Sequence, residues 1–290
     1  MRVKNNEKHS IRYRYRHLFR ILLLVLLTYI TYESLVAFVD KKLVKNAQVD
    51  IISTCHKVWS SRGLVTDVAN RWEHANSIES IGLAIKSGAK GVEVDMFYDS
   101  KMNDYIVSHD RPYNLKNGKL LTLSELFEAL NSDVYIWLDF KKLTRLDGKE
   151  LEHAVERLTK ITSGSGMNKR IYAESEHPIK LSAFHQAGFQ TLLDTQPLPE
   201  SYIGTEFVHN LYKIVYYFSG HSAMGISFGS LENPVFNSTS ERVLKNIPLF
   251  IYHVPNNEIL IMRLSKLPNV KAILNTNDTV DMFSISSCDN

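Results

Sequence analysis

The feature that most limits the fold of this chain is a regular alternation of short apolar segments with helix-like segments, which runs from residue 49 onward. Strands that alternate with helices predict a parallel sheet, because a crossover helix connects each strand to the next. Eight such units in roughly 240 residues predict a closed (β/α)8 TIM barrel of the α/β class. The strands are expected at residues 49–55, 91–97, 134–141, 170–175, 190–194, 223–228, 248–254 and 270–275, and the helices at 77–87, 124–130, 149–161, 178–187, 206–218, 240–246 and 257–267.

The N-terminal segment differs in composition from the rest of the chain. Residues 1–17 carry six Lys or Arg and one Glu, and residues 18–39 are almost continuously apolar. Because about 20 apolar residues span a bilayer core, residues 18–39 are predicted to form an uncleaved transmembrane helix. A cleaved signal peptide is the alternative, but the apolar run is long and no small-x-small cleavage motif follows it. The positive-inside bias predicts a basic cytosolic segment at 1–17 and a barrel, residues 46–290, on the extracytoplasmic side.

The formal charge of +3 comes from this N-terminal segment. Residues 1–45 contain ten Lys or Arg and three Asp or Glu, so the remainder carries 24 basic and 28 acidic residues. The remainder has no Lys/Arg stripe with interleaved aromatic residues, and nucleic acid is therefore not an expected partner. Cys55 and Cys288 are too few for a disulfide framework, although they could pair in an oxidising compartment.

Acidic side chains lie on two of the predicted strands. Successive side chains of a strand alternate faces, so Glu93 and Asp95 share one face while apolar residues occupy the other. The next strand places Asp139 and Lys141 at the same spacing. Three carboxylates near the carboxyl ends of barrel strands suit a hard cation, Mg²⁺ or Ca²⁺, and do not suit zinc. The alternative is that these acids are neutralised by Lys141 and other basic side chains.

The segment 76–141 resembles the glycerophosphodiester phosphodiesterase family, within the wider group of phospholipase-C-like barrels. The resemblance covers a helix cap, two acids in a strand, a His-Asp pair and an acid-x-Lys strand. These are Asn-Ser-Ile-Glu at 76–79, Gly-Ala-Lys-Gly-Val-Glu-Val-Asp at 88–95, Ser-His-Asp at 108–110, Leu-Thr-Leu-Ser-Glu-Leu at 121–126 and Leu-Asp-Phe-Lys at 138–141. Beyond residue 141 the likeness is architectural.

The resemblance implies roles for individual residues. It implies that Glu93, Asp95 and Asp139 are ligands of a divalent cation. His109 would be a catalytic acid or base, and Lys141 would contact the phosphate. The expected activity is metal-dependent hydrolysis of a phosphodiester.

The sequence departs from the family pattern where a His-Arg-Gly would end the first strand. The nearest match is Ser61-Arg62-Gly63, with serine in the place of the histidine. His56 follows the expected 49–55 strand and is the preferred base, while His74 lies two residues before the helix cap, nearer the spacing of the sphingomyelinase-D branch. A site without this group is the third possibility. Arg62 is either a phosphate contact or a solvated arginine.

Tyr252-His253 ends the seventh predicted strand, so one of the two is expected to face the pocket as a wall for the leaving group, and Tyr252 is a candidate substrate contact. Asp139 stands where many family members carry glutamate, which resembles the sphingomyelinase-D branch. The expected substrates are therefore glycerophosphodiesters or related small phosphodiesters, with lysophospholipase-D-like or sphingomyelinase-D-like action on lipids as the alternative. Because the His-Arg-Gly is missing, a non-catalytic barrel that binds a phosphorylated glycan or lipid is also considered.

Overall fold

The structure is a computed structural model that describes residues 3–46, 55–65, 71–130, 133–164, 166–196, 198–275 and 280–285. The chain divides into two compact units, Met1–Asn46 and Ala47–Asn290. Cys288, with which Cys55 could pair, lies outside the described residues.

The first unit is one long helix, α1 (Val3–Asn46). Its segment Arg16–Lys45 is long and apolar enough to cross a membrane. A signal sequence or the core helix of a soluble protein can have the same length and composition. The hydroxyls of Thr28 and Thr31 each donate to the backbone carbonyl four residues earlier, at 2.8 Å. Such bonds satisfy the hydroxyl within the helix, so threonine is tolerated in an apolar run.

The second unit is the predicted barrel. Eight parallel strands form a closed ring, because β1 pairs with both β9 and β2, and β3 adds an antiparallel partner to β2. The strands are β1 (Val58–Ser61), β2 (Gly91–Asp99), β3 (Asp104–Val107), β4 (Tyr135–Phe140), β5 (Ile171–Ser175), β6 (Gln190–Thr195), β7 (Ala223–Ser227), β8 (Leu249–Val254) and β9 (Val270–Asn275). The helices are α2 (Arg71–His74), α3 (Ile78–Lys86), α4 (Leu123–Ala129), α5 (Gly148–Thr162), α6 (Pro178–Gln186), α7 (Thr205–Ser219), α8 (Ser238–Val243) and α9 (Glu258–Ser265). Short 3₁₀ turns lie at Leu143–Arg145, Met167–Lys169 and Val280–Ser284.

The first barrel strand differs from the prediction. It is Val58–Ser61 and not 49–55, and of the predicted segment only Cys55 lies within the described residues. The true strand has four residues, of which two are apolar, so it gives almost no alternating signal. Barrel closure specifies it instead, since Trp59 pairs with Leu274 of β9 and Ser61 pairs with Glu93 of β2.

Aromatic side chains fill the interior of the barrel below its carboxyl-terminal mouth. Trp59, Trp137, Tyr172 and Phe250 are all fully buried, and the ring of Phe250 lies 4.8–5.3 Å from the other three. A side chain at Gly91 would meet Trp59, since an added Cβ would lie 2.1 Å from the indole. Because inward positions recur every second residue, the residues two places beyond these aromatics stand above them, at the mouth.

Candidate active site

Three of the predicted acids meet at the mouth of the barrel. Asp95 of β2 and Asp139 of β4 are register partners, and Glu93 precedes Asp95 by two residues on the same face. One carboxylate oxygen from each of the three residues lies within 4.8 Å of the others. All three donors are hard oxygens that converge from rigid strands, so the group could hold a metal ion, and a divalent ion fits it by donor type.

Two basic side chains also contact these acids. Arg62 Nε lies 2.7 Å from Asp95 Oδ2 and 4.0 Å from Glu93 Oε2. Lys141 Nζ lies 2.7 Å from Asp95 Oδ1 and pairs with Asp139 Oδ2 as well. The acids are therefore paired with basic side chains, as one interpretation of the sequence predicts, and they also form the carboxylate cluster that the other interpretation predicts. Two cations against three carboxylates leave the group with one excess negative charge when all are ionised.

Asn76 is a member of this cluster that sequence analysis assigned to a different role. The helix cap predicted at Asn76 is one residue later, because Ser77 and Ser80 form the capping box of α3. Asn76 adopts a positive φ of 56°, a conformation that asparagine tolerates, and its amide donates to Asp95 Oδ2 at 2.7 Å. Its carbonyl oxygen accepts from the Asp95 backbone at 3.1 Å. Asn76 thus fixes the orientation of the Asp95 carboxylate.

The electrostatics of the cluster reflect burial and crowding of like charges. Burial raises the pKa of Glu93 well above its usual value, and the neighbouring Asp95 raises it further against the opposing effect of Arg62. Burial also raises the pKa of Asp139, although Lys141 opposes the shift. Burial alone would lower the pKa of Lys141, but the carboxylates of Asp139 and Asp95 outweigh it and the pKa is raised. Additional positive charge would stabilise the ionised acids.

His109 is positioned by the loop that follows β3. Its Nδ1 lies 3.0 Å from the Asp110 carboxylate, and this hydrogen bond lowers the pKa of Asp110. The loop is held by Ser108, whose hydroxyl donates to the Asp110 carbonyl and accepts from the backbone N–H of Asn114, each at 2.9 Å. The arrangement orients the imidazole.

The acids, the two cations and His109 surround a cavity of about 800 Å³ at the barrel mouth. Glu93, Asp139, Arg62, Lys141 and His109 line it, whereas Asp95 lies behind them, fully buried. Tyr252 and His253 of β8 both line the same cavity, where one of them was expected. A cavity of this volume can enclose a small organic molecule.

Known proteins match this chain by structure and not by sequence. No protein-family model matches the chain, and no curated protein matches its sequence. Solved structures match its fold. The chain has the fold of several glycerophosphodiester phosphodiesterases.

Among these structures are three from bacteria. The enzyme from Thermotoga maritima is 19% identical, with a TM-score of 0.55 over 80% of this chain and 98% of the other. Those from Parabacteroides distasonis and Agrobacterium tumefaciens are 15% and 14% identical, with TM-scores of 0.55 and 0.52 over 77% and 78% of this chain and 94% and 98% of theirs. Likeness at this identity establishes the TIM-barrel fold, and these barrels carry the family name that the pattern at 76–141 indicated.

Ser61 ends β1 and Arg62 and Gly63 follow it, so this tripeptide stands at the end of the first strand, as the His-Arg-Gly of the family pattern does. Ser61 Oγ donates to Glu93 Oε2 at 3.1 Å, so a serine occupies the place beside the acids. Gly63 has a φ of +83°, and an added Cβ would lie 2.4 Å from Ser80 Oγ. The turn after β1 therefore requires glycine and directs Arg62 into the cluster.

The two histidines expected to supply the base do not line this cavity. His56 precedes β1 and therefore lies toward the amino-terminal end of the barrel. The prediction that His56 is the base beside the acids is wrong, because the acids lie at the carboxyl-terminal mouth. His74 ends α2, is exposed, and lines a separate cavity of about 470 Å³ together with Lys116. The loop before α3 does not bring His74 over the acids.

Two further acids line the cavity that the sequence did not predict as site residues, Glu174 of β5 and Asp194 of β6, and Glu174 is the register partner of Asp139. Glu174 Oε2 accepts from the Trp137 indole at 2.6 Å, and burial raises its pKa well above the usual range. Asp194 Oδ1 accepts from the Tyr252 hydroxyl at 2.8 Å, and burial, against that hydrogen bond, raises its pKa to about 6. The sequence contained a signal for both acids. Each lies two residues after a buried inward residue, Glu174 after Tyr172 and Asp194 after Leu192, at the carboxyl end of its strand.

Proposed function

We propose that the barrel is a metal-dependent phosphodiesterase that hydrolyses glycerophosphodiesters or related phosphodiesters at a membrane surface. The observation that carries the proposal is the convergence of three carboxylates, two cations and an oriented histidine on one cavity at the mouth of this fold. The pattern at 76–141 supports it, and so does the family name of the solved barrels with the same fold.

Charge explains why a divalent cation is part of the proposal. The ionised acids with Arg62 and Lys141 carry one net negative charge, which would repel a phosphodiester anion. When bound by Glu93, Asp95 and Asp139, Mg²⁺ or Ca²⁺ would make the site net positive and would stabilise charge that develops on a non-bridging phosphate oxygen.

The side chains then have separate roles. Lys141 would bind a second non-bridging oxygen, and the guanidinium of Arg62 suits the same task because its planar N–H groups match phosphate oxygens. His109, whose Nδ1 lies 3.0 Å from the Asp110 carboxylate, would donate a proton to the leaving alkoxide as the P–O bond breaks. Tyr252 would form the wall beside the leaving group.

The test is an assay of the full-length protein on glycerophosphocholine with Mg²⁺, with Ca²⁺ and with a chelator. We expect turnover with a divalent cation and a loss of at least ~10²-fold with the chelator, because the uncompensated acids would repel the substrate. As a matched control, Glu152→Gln neutralises an exposed acid of α5 and should leave the rate unchanged. Turnover that the chelator does not alter would contradict the role of the cation.

A lysophospholipase-D-like or sphingomyelinase-D-like activity is the second candidate. The observations that favour it are the apolar helix α1, which would hold the barrel at a lipid surface, and aspartate at position 139. Lysophosphatidylcholine is the probe, since its hydrolysis would yield a lipid phosphate, whereas a glycerophosphodiester yields water-soluble glycerol phosphate. Binding of both probes without turnover would instead support the non-catalytic barrel.

The anchored arrangement is also a proposal. Residues 18–39 would cross the membrane once, with residues 1–17 in the cytosol and the barrel on the extracytoplasmic side.

A further inference from the structure

Hydrolysis of a phosphodiester requires one group that accepts a proton from the attacking water and another that donates a proton to the leaving alkoxide. The described residues that line the cavity include two imidazoles, His109 and His253. We propose that His253 is the general base of this site and that His109 is its acid partner. This inference rests on the proposed function and assigns a catalytic residue to it.

The local structure of β8 presents His253 to the cavity. The pairing of β8 with β9 is irregular between Ile251 and Val254, and His253 has a positive φ of 53°. A left-handed conformation is strained for a non-glycine residue and is found preferentially at functional sites. Irregularities of this kind re-aim a side chain next to an active site. The strand is thus bent at the residue that the proposal needs.

Neighbouring side chains orient the His253 ring. Its Nδ1 lies 3.4 Å from Ser227 Oγ of the adjacent strand β7, and its ring centroid lies 4.8 Å from that of Tyr252. With Nδ1 directed to Ser227, Nε2 is the nitrogen that remains for proton transfer.

The charges around the two histidines suit opposite roles. Burial lowers the pKa of His253, and Arg62 of the β1 turn and Lys141 after β4 lower it further. The neutral form, which accepts a proton, is therefore favoured at neutral pH. His109 instead has the Asp110 carboxylate 3.0 Å from its Nδ1, so its ring is held by a partner that a proton donor suits. The other titratable groups that line the cavity are Glu93 of β2, Asp139 of β4, Lys142 and Arg145 after β4, Glu174 of β5, Glu176 after β5, Asp194 of β6 and Tyr252 of β8 itself.

Other residues fit the role less well. The hydroxyl of Ser61 donates to Glu93 and is not a base near neutrality. His209 and His221 are buried away from the cavity, where they bond to Ser240 and Thr191. Asp194, with a pKa of about 6, is the rival, although it already accepts the Tyr252 hydroxyl.

The proposed step balances as follows. The water oxygen forms a bond to phosphorus while His253 Nε2 takes one water proton. The bond between phosphorus and the leaving alcohol oxygen breaks, and His109 gives that oxygen its proton. The products are a phosphate monoester and an alcohol, and exchange of protons with solvent restores both histidines.

The experiment compares two diesters in the full-length protein with Mg²⁺ or Ca²⁺. Glycerophosphocholine has a poor leaving group that needs an acid, whereas p-nitrophenyl phosphocholine has an acidic leaving group that does not. We expect His253→Asn to lower kcat by ~10²–10⁴-fold on both diesters, and His109→Asn to lower it by that factor on glycerophosphocholine alone. Asparagine tolerates the positive φ of His253, so the fold should persist.

Three further measurements separate chemistry from structure. The acidic limb of the pH–rate profile, which reports the base, should disappear in His253→Asn while KM and the melting temperature stay unchanged. His253→Gly, which relieves the backbone strain, should regain activity when free imidazole is added. His185→Asn, an exposed histidine of α6, should match the wild type.

Each contrary result has a definite meaning. A His253→Asn protein within threefold of wild-type kcat on both diesters would overturn the assignment, and loss in Asp194→Asn instead would give the role to Asp194. Loss on glycerophosphocholine alone would make His253 the acid and also overturn it. A wild-type chain inactive on both diesters would overturn the proposed function together with this inference, whereas an active wild type isolates the failure to His253.

Discussion

Asp95 and Glu93 lie two residues apart on β2 and depend on their surroundings in different ways. Asp95 is fully buried and contacts Asn76, Arg62 and Lys141 at 2.7 Å each. Glu93 accepts a hydrogen bond from Ser61 at 3.1 Å, lies 4.0 Å from Arg62 Nε, and has a raised pKa. The charge of Asp95 thus holds the cluster together, whereas the charge of Glu93 is costly to the fold and is retained, on the proposed function, to bind a cation.

We expect Glu93→Gln to abolish turnover and weaken binding of the divalent cation, without loss of stability, because the amide keeps the shape and removes an unfavourable buried charge. Calorimetric titration with Mg²⁺ and Ca²⁺ measures the binding. A variant that binds the cation with wild-type affinity and still turns over substrate would exclude the site as described.

Asp95→Asn serves as the contrast. It should destabilise the protein by roughly 3 kcal/mol, because Arg62 and Lys141 would lose a buried partner. The free energy of unfolding in urea measures this. If Asp95→Asn lowered the free energy of unfolding by less than Glu93→Gln does, the two acids would not have the different roles described above.

The stability of the protein should depend on pH through Asp194. The pKa of Asp194 is about 6 in the folded protein against 3.8 ordinarily, so the folded state binds more protons between these values. Its contribution to stability is fully present below about pH 4 and is lost as the pH rises through 6, by at most ~3 kcal/mol. Asp194→Asn should therefore be more stable than the wild type at pH 8, with a smaller difference at pH 4.5. The control Asp133→Asn, at an exposed side chain, should follow the wild type at both pH values.

At the scale of elements, the shortest of the eight parallel strands, β1, carries the turn that places Arg62 among the acids. β1 has four residues, yet it pairs with β9 and β2, closes the barrel and ends in the turn that carries Arg62. That turn packs against the start of α3, where the backbone N–H of Leu64 donates to the Ser80 carbonyl and the N–H of Asn76 donates to the Arg62 carbonyl. Strand, turn and helix start therefore form one rigid unit beneath the acids.

We expect Gly63→Ala to destabilise the protein by ~2–4 kcal/mol, through its positive φ and the collision of the new methyl group with Ser80. Gly118→Ala is the matched control, since Gly118 also has a positive φ, of +76°, but has open space around it. The control should lose only the backbone contribution of ~1–2 kcal/mol. Urea unfolding measures both variants, and equal losses would show that the contact with Ser80 is unimportant.

At the scale of the whole molecule, the chain joins a basic, apolar helix to a barrel that carries more acidic than basic residues. The helix has the length and composition of a membrane span, and the second unit is a TIM barrel. This asymmetry of charge is the basis of the proposed orientation.

We expect a reporter fused after Asn290 to be active only outside the cytosol, and the mature protein to retain residue 1 and resist extraction from membranes at high pH. Replacing Arg12, Arg14 and Arg16 by Gln should weaken the orientation, because the positive-inside bias depends on them. A mature protein that begins near residue 40 would show that the segment is a signal peptide.

The amino-acid sequence by itself determined the barrel, seven of its eight strands within two residues at each end, and the pairing of Glu93, Asp95, Asp139 and Lys141 on inward faces. These features are local, because the period of two in a strand and the spacing i, i+2 are visible within a few residues. Tertiary structure alone decided the position of β1, the contact of Ser61 with Glu93, and the exclusion of His56 and His74 from the mouth. It also brought Glu174, Asp194 and His253 to the same cavity, and His253 of β8 lies beside the acids because β9 pairs with β1 and the ring closes. Ring closure is set by the packing of the aromatic interior, which joins residues as far apart as Trp59 and Phe250, and no pattern within a single segment encodes it.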